Sequence, residues 1–325
     1  MTVHAPRRSG RIVFNILMCV MNIDMEQKIV VVGSCNTDMV ISMERLPLPG
    51  ETLLGGQFLM NPGGKGANQA VAAARLGGCV TLVAKVGTDP FGSRAIEQYA
   101  ADGIDVRYVT TDPSHPSGVA LIMVDSQGEN CIAVASGANA HLTAKDVDHA
   151  KQAIASAHIV LMQLEIPIIT VEYVAHIAKQ SGKLVVLNPA PAHPLPESLL
   201  RNLYLLIANE SEAEQLSGIP ITDMDSVARA TDVLCAKGVA NVVITLGSRG
   251  AFIREHGCYH QIPGQQVKAV DATAAGDTFC GAVCVALAEG KSLTEAVRFA
   301  NRCAAITVTR MGAQSSLPYR SEVKG

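Results

Sequence analysis

Ile29-Val30-Val31-Val32-Gly33 is an unbroken apolar run that stops at a glycine. A strand with one wet face alternates apolar and polar residues, whereas a strand covered on both faces does not. The run therefore predicts a strand inside a parallel sheet with helices on either side. Working outward, similar runs recur at Val80–Val86, His158–Leu164, Leu184–Asn188, Leu203–Ala208 and Val242–Leu246. Between them, helical patterns cover Gly66–Leu76, Phe91–Ala101, Ala144–Ala155, Ile168–Gln180, Ser226–Lys237, Ala275–Ala288 and Leu293–Thr309. Thr143, with Asp146 three residues on, has the spacing of a helix cap. Strands alternating with helices define an α/β fold with a doubly wound, mainly parallel sheet.

Two stretches break the rhythm. Residues 38–62 hold Met39-Val40-Ile41-Ser42-Met43, a Pro/Gly turn at Pro47–Gly50, and Gly56–Met60. Residues 117–136 hold two short β-like runs around Ser126-Gln127-Gly128-Glu129, with no room for a crossover helix. Each is too short for a domain of its own. Together they predict a small β-sheet lid beyond the carboxyl ends of the main strands, where open α/β sheets bind ligands.

The 325 residues are 48% hydrophobic and 17% charged, enough to bury a large core and too apolar for disorder. A formal net charge of −3, no Trp and 4% aromatic residues argue against a nucleic-acid partner or a membrane belt. The nine cysteines are scattered without a CxxC pair, which speaks for small apolar residues in a reducing, cytoplasmic setting rather than a zinc or disulfide framework. Cys280 and Cys284 are expected to share a helix face. At the start, Arg7, Arg8 and Arg11 precede the apolar run Ile12–Met21, interrupted by Asn15. This mimics a targeting segment but lacks a cleavage site and is too short to span a bilayer. With Met21 and Met25 just ahead of the first strand, residues 1–25 read as an extension, disordered or the product of a start assigned too far upstream, and residues 26–325 as the folded domain.

Three segments carry chemistry. Asn61-Pro62-Gly63-Gly64-Lys65-Gly66-Ala67-Asn68-Gln69 runs into an Ala-rich helix; its glycines let backbone N–H groups approach a polar ligand, and Asn68 sets an amide on the first turn. Its spacing is not that of a Walker A loop. In Asp271-Ala272-Thr273-Ala274-Ala275-Gly276-Asp277-Thr278-Phe279, the small residues open a helix whose free N–H groups form an anion hole, suited to the charge on a transferring phosphoryl group. Asp277 falls on the first turn, where an Asp is often only a favourable partner of the helix dipole, and Asp271 could hold a cation or cap the loop. Thr245-Leu246-Gly247-Ser248-Arg249-Gly250 is a strand end with a Gly-flanked turn, able to meet phosphates or to be an ordinary turn. Glu165, after Met162-Gln163-Leu164, and Asn209-Glu210-Ser211-Glu212 also lie at strand ends. Gly33-Ser34-Cys35-Asn36-Thr37-Asp38 lacks the GxGxxG of a dinucleotide fold.

In this order the segments resemble the ribokinase-like (PfkB) family of carbohydrate kinases. Gly63–Gln69 resembles its N-terminal signature and Ala274–Phe279 its C-terminal one; the likeness spans Lys28 to Tyr319. Gly33–Asp38, Met162–Glu165, Asn188–Ala192 and Gly312–Gln314 are most similar to its ribose-phosphorylating branch. The resemblance implies a three-layer sandwich with the lid described above, and ATP-dependent phosphorylation of D-ribose at the 5-hydroxyl, assisted by Mg²⁺ and activated by K⁺. It implies a sugar pocket of Asn36, Thr37, Asp38, Gly64, Lys65, Gly66, Ala67, Asn68 and Glu165, with Asp277 as general base beside an anion hole at Ala274, Ala275 and Gly276. ATP would meet Asn209, Thr245, Leu246, Gly247, Ser248, Arg249, Gly250, Gly276, Asp277 and Asn301. A monovalent cation would sit at Asp271, Thr273, Thr307, Arg310, Gly312 and Ser316, several through their carbonyls, and two lids would pair in a homodimer. Two positions depart from the family pattern: Ala272, where Thr is usual, and Cys280, where Asn is common. The competing expectations are a kinase for 2-deoxyribose or fructose and a sugar-binding protein without catalysis.

Overall fold

A computed structural model describes residues 28–324; the extension at 1–25 lies outside them. The opening apolar run is strand β1 (Lys28–Val32), paired in parallel on both sides, with β4 (Cys79–Gly87) and β8 (Ile159–Met162). Beyond β4 lies β5 (Asp105–Asp112). Beyond β8 follow β9 (Leu184–Leu187), β10 (Leu205–Asn209) and β11 (Asn241–Thr245), all parallel. Two antiparallel strands, β12 (Ala251–Glu255) and β13 (Cys258–Ile262), close that edge of a nine-stranded sheet among the described residues.

The alternation of β1 shows why its run had to be apolar throughout. Ile29 and Val31 enter one core with α1 (Lys65–Arg75), α2 (Pro90–Ala101), α9 (Ala275–Ala288) and α10 (Leu293–Thr307). Val30 and Val32 enter the other, with α3 (Ala144–His149), α4 (Lys151–Ser156), α5 (Ile168–Gln180), α6 (Glu197–Leu200), α7 (Glu210–Ser217) and α8 (Met224–Ala236). The layers are therefore helix, sheet, helix, as expected. One expected helix divides: Ala150, at φ −97° and ψ 3°, separates α3 from α4, and Val147, Ala150 and Ile154 all reach the core. The Thr143–Asp146 capping box is present. Cys280 and Cys284 are both buried on α9, as apolar residues.

The two excursions pair into a separate four-stranded sheet of β2 (Asn36–Ser42), β3 (Gln57–Gly63), β6 (Gly118–Val124) and β7 (Asn130–Ala135), ordered β3-β2-β6-β7. Register puts Asp38 on one face with Asn61, Ala120 and Val134, and Phe58, Met60, Ile41 and Leu121 on the other. Three residues separate β1 from β2, so the lid grows straight out of an interior strand of the main sheet. Among the described residues no helix is long and apolar enough to cross a membrane.

Candidate active site

The carboxyl ends of β1, β8, β10 and β11 face the amino ends of α1, α7 and α9. There the backbones of the first loop and of α1 touch: a methyl at Gly33 would lie 2.0 Å from Gln163 Oε1 and 2.8 Å from Gly66 Cα. The same closeness operates at Gly63, where a methyl would fall 2.1 Å from the Asp38 carboxylate. Glycine at these positions lets Asp38 and Gln163 lie where larger residues would exclude them.

Asp277, 7% exposed on the first turn of α9, sits at the centre. Asn68 Nδ2 donates to its Oδ2 at 3.1 Å and Gln69 Nε2 to its Oδ1 at 3.0 Å. Burial raises the Asp277 pKa and the Glu165 charge adds to this, while the Lys65 ammonium and the two amides oppose it. Burial also works against the charge on Lys65, but the carboxylates of Asp277, Glu165 and Glu212 outweigh it and raise that pKa. Asp38 is pushed up to about 6, by burial first and then by Glu165 and Asp277.

Glu165 is fixed by Ser34 Oγ, which donates to Oε2 at 2.5 Å, and by the Lys65 N–H at 3.0 Å. Asn36 accepts at its Oδ1 from Asn139 Nδ2 at 2.8 Å; Asn139 also accepts the Cys35 N–H, so this buried residue after β7 ties the lid root to the central loop. A cavity of about 340 Å³ is lined by Asn36, Asn139, Glu165 and Val134 among others. A second, of about 220 Å³, is lined by Lys65, Asn188, Asn209, Glu212, Thr245, Ala274, Gly276, Asp277 and Cys280. A third, of about 320 Å³, shares Thr245, Ala272 and Gly276 with it and continues past Gly247, Ser248, Gly250, Phe279 and Asn301.

The expected residues thus converge, with differences in detail. Ala274 takes the left-handed conformation (φ 59°) that opens α9; the Ala275 N–H is already donated to the Ala272 carbonyl at 3.2 Å. Thr278 N–H bonds Ala274, so the N–H groups of Gly276 and Asp277 are the first-turn donors without an intrahelical carbonyl. Leu246 is buried and donates its N–H to Gly250, while the Arg249 side chain lines neither cavity and pairs with Glu210. Asn209 caps α7 by accepting from Glu212 N–H, and Asn301 donates to the Ile262 and Pro263 carbonyls, shaping the wall of the third cavity. Thr37 lines a small cleft beside α2.

At the cation positions, Asp271 accepts N–H bonds from Thr273 and Gly312, lacing the two loops together. The Thr307 hydroxyl is spent on Thr278 and Cys303, Arg310 is turned to Glu322, and Ser316 Oγ donates to Ala313. The side chains of Thr307 and Arg310 therefore offer nothing to an ion, and only their carbonyls could. Gln69, Asn188, Glu212 and Gln314 stand in segments picked out from the sequence but were given no role there, and Asn139 was not noticed. Glu212 had a visible signal, standing three residues after a helix-capping Asn; the others belong to contacts between distant segments.

The chain belongs to the pfkB carbohydrate kinase family, whose model matches residues 26–320. It is 46% identical to a ribokinase of Haemophilus influenzae over 92% of this chain and 97% of that one, and 36% identical to a deoxyribokinase of Salmonella typhi over 89% and 95%. Among solved structures, Arabidopsis thaliana ribokinase complexed with ribose and ATP superposes with a TM-score of 0.85 at 34% identity, covering 91% of this chain and 97% of the other.

Proposed function

We infer that this protein transfers the γ-phosphoryl group of ATP to the 5-hydroxyl of D-ribose, giving ADP and ribose 5-phosphate. The observation that carries the reading is the position of Asp277: a buried carboxylate held by two amides on the first turn of a helix. It opens on a cavity that also holds Lys65 and meets a second at Gly276. With ribose against Asn36, Asp38, Lys65, Asn68 and Glu165, Asp277 takes the proton from O5 as O5 attacks phosphorus. The bond to the bridging oxygen of ADP breaks on the far side. Charge on the equatorial oxygens is met by the Gly276 and Asp277 N–H groups and by Lys65. ATP extends along Thr245, Gly247, Ser248 and Gly250 toward Asn301.

Mg²⁺ carried on the phosphates would neutralise their charge. Glu212 fits that neighbourhood, since one oxygen accepts the Asn209 N–H and its carboxylate faces the same cavity as Asp277. K⁺ fits the laced loops at Asp271, Thr273, Thr307, Arg310, Gly312 and Ser316, chiefly through carbonyl oxygens. There it would hold the entrance of α9 in place. The lid, with Phe58 60% and Leu121 54% exposed on the face turned away from Asp38, supports a homodimer through paired lids. The buried thiols of Cys35, Cys280, Cys284 and Cys303 accord with a cytoplasmic setting.

The test is ADP release coupled to a reporter on ribose, 2-deoxyribose and fructose, with and without K⁺. Turnover fastest on ribose supports the reading; a tenfold preference for 2-deoxyribose moves it to the neighbouring kinase, which the Salmonella typhi relative makes the specific alternative. Sugar binding without ADP release would make the protein a sensor.

A further inference from the structure

We propose that Gln163 and Gln314 are positioning residues for the reaction: each dictates which end of a neighbouring carboxamide faces Asp277. The proposal rests on the reading of Asp277 as the base. The two ends of a carboxamide are nearly alike in shape, so packing alone does not decide whether nitrogen or oxygen meets the carboxylate. A reversed amide would set its oxygen against the carboxylate and repel it.

Two chains of donors remove the choice. Gln314 Nε2 donates to Asn68 Oδ1 at 3.1 Å, which leaves Asn68 Nδ2 for Asp277 Oδ2. On the other side Gln163 Nε2 donates to Gln69 Oε1 at 2.5 Å, which leaves Gln69 Nε2 for Asp277 Oδ1 and for Asn188 Oδ1. Gln163 and Gln69 are fully buried and Gln314 is 1% exposed, so water cannot substitute for a missing partner. The backbone carbonyl of Gln314 accepts from Arg75, which also pairs with Asp102, and Gln163 Oε1 lies close to Gly33. Among the described residues neither side-chain oxygen of the outer pair has a hydrogen-bond partner, so the inward-facing nitrogen is the one end of each that is engaged. Neither outer glutamine lines the cavities described above, so neither is placed to touch substrate.

The relay works on a carboxylate whose other neighbours pull both ways. Lys65 favours its charge, whereas Glu165 disfavours it. Asp277 in turn raises the pKa of Asp38, Glu212 and Cys280, so each of these groups senses its charge. Two correctly turned amides help the base stay ionised in a dry site.

The experiment compares Q163M and Q314M, similar in volume but unable to donate, with the wild type and with D277N across pH 5–9. The readouts are kcat, the KM for ribose and the thermal midpoint. The expected result is kcat reduced roughly 10- to 100-fold near neutrality. Its acid limb should move up by about half a unit to one unit, with ribose KM changed less than about threefold. Q314E adds a check that survives poor folding of the Met variants. Its acid form still donates to Asn68 and its anion cannot, so its kcat relative to wild type should decline as pH rises. An acid limb that stays in place in both Met variants, or a flat Q314E ratio, overturns the relay while a dead D277N keeps the base. Turnover by D277N would instead remove the base itself.

Discussion

The Asp271 carboxylate accepts the Gly312 N–H at 2.8 Å, which ties the loop entering α9 to the loop leaving α10. Its other oxygen accepts the Thr273 N–H, and these bonds help hold its pKa below the usual carboxylate range although burial works the other way. Asp271→Ala should raise the K⁺ concentration for half-activation and lower kcat by about tenfold or more, because the anion-hole turn loses its anchor. A K⁺ titration against tetramethylammonium measures both; unchanged activation by K⁺ would contradict the assignment.

Asp277→Asn keeps the shape of the side chain and removes the base. We expect kcat to fall by about 10²- to 10⁴-fold with ribose binding, followed calorimetrically, within a few-fold of wild type. In the wild type the sign follows from the raised pKa: the carboxylate is the active form, so kcat drops as pH falls through it.

Asp38 gives a separate pH signature. With its pKa pushed up to about 6, it is a carboxylate at neutral pH, able to accept hydrogen bonds from a bound sugar, and it takes up a proton as the pH falls through 6. Ribose KM should therefore rise as pH drops through about 6, and Asp38→Asn should flatten that dependence. Initial rates at fixed saturating ATP between pH 5 and 8 decide it.

Gly33→Ala tests the close contact beneath the site. The added methyl must displace Gln163 Oε1 and the Gly66 backbone. Such overpacking costs about 1–3 kcal/mol, to be read as a lowered midpoint in urea unfolding.

Leu121→Glu places a charge on the outer face of the lid, where register aligns Leu121 with Met39 and Ala133. Sedimentation should show monomers, accompanied by a raised ribose KM. A dimer that persists with the charge in place would move the interface elsewhere.

How far the sequence could be read follows from range. Central strands such as β1 and β10 were legible because burial on both faces demands an uninterrupted apolar run. The edge strands β5 and β13 were not, since half-exposed or exposed residues carry no such run, and neither was β12 beside β13, whose buried part is only Ala251-Phe252-Ile253. At the site, signatures each local to one loop pointed to Lys65, Asn68 and Asp277, which the fold brings side by side. The partnership of Gln69 with Asp277 spans 208 residues and leaves no local spacing to notice. Arg249 illustrates the converse: a turn suited to phosphates holds an arginine that finds Glu210 instead.

The junction at Asn36, where β1 leads into the lid with Asn139 bracing it, would bear on the economy of ATP in the proposed reaction. A base able to deprotonate an alcohol can also deprotonate water, the smallest nucleophile that fits. Because Asn36 and Asp38 stand at the root of the lid sheet, a pentose bound against them would touch both the lid and the main sheet and would help enclose the proposed reaction. On the proposed reading, wasteful hydrolysis would be held back by that enclosure rather than by any weakness of the base.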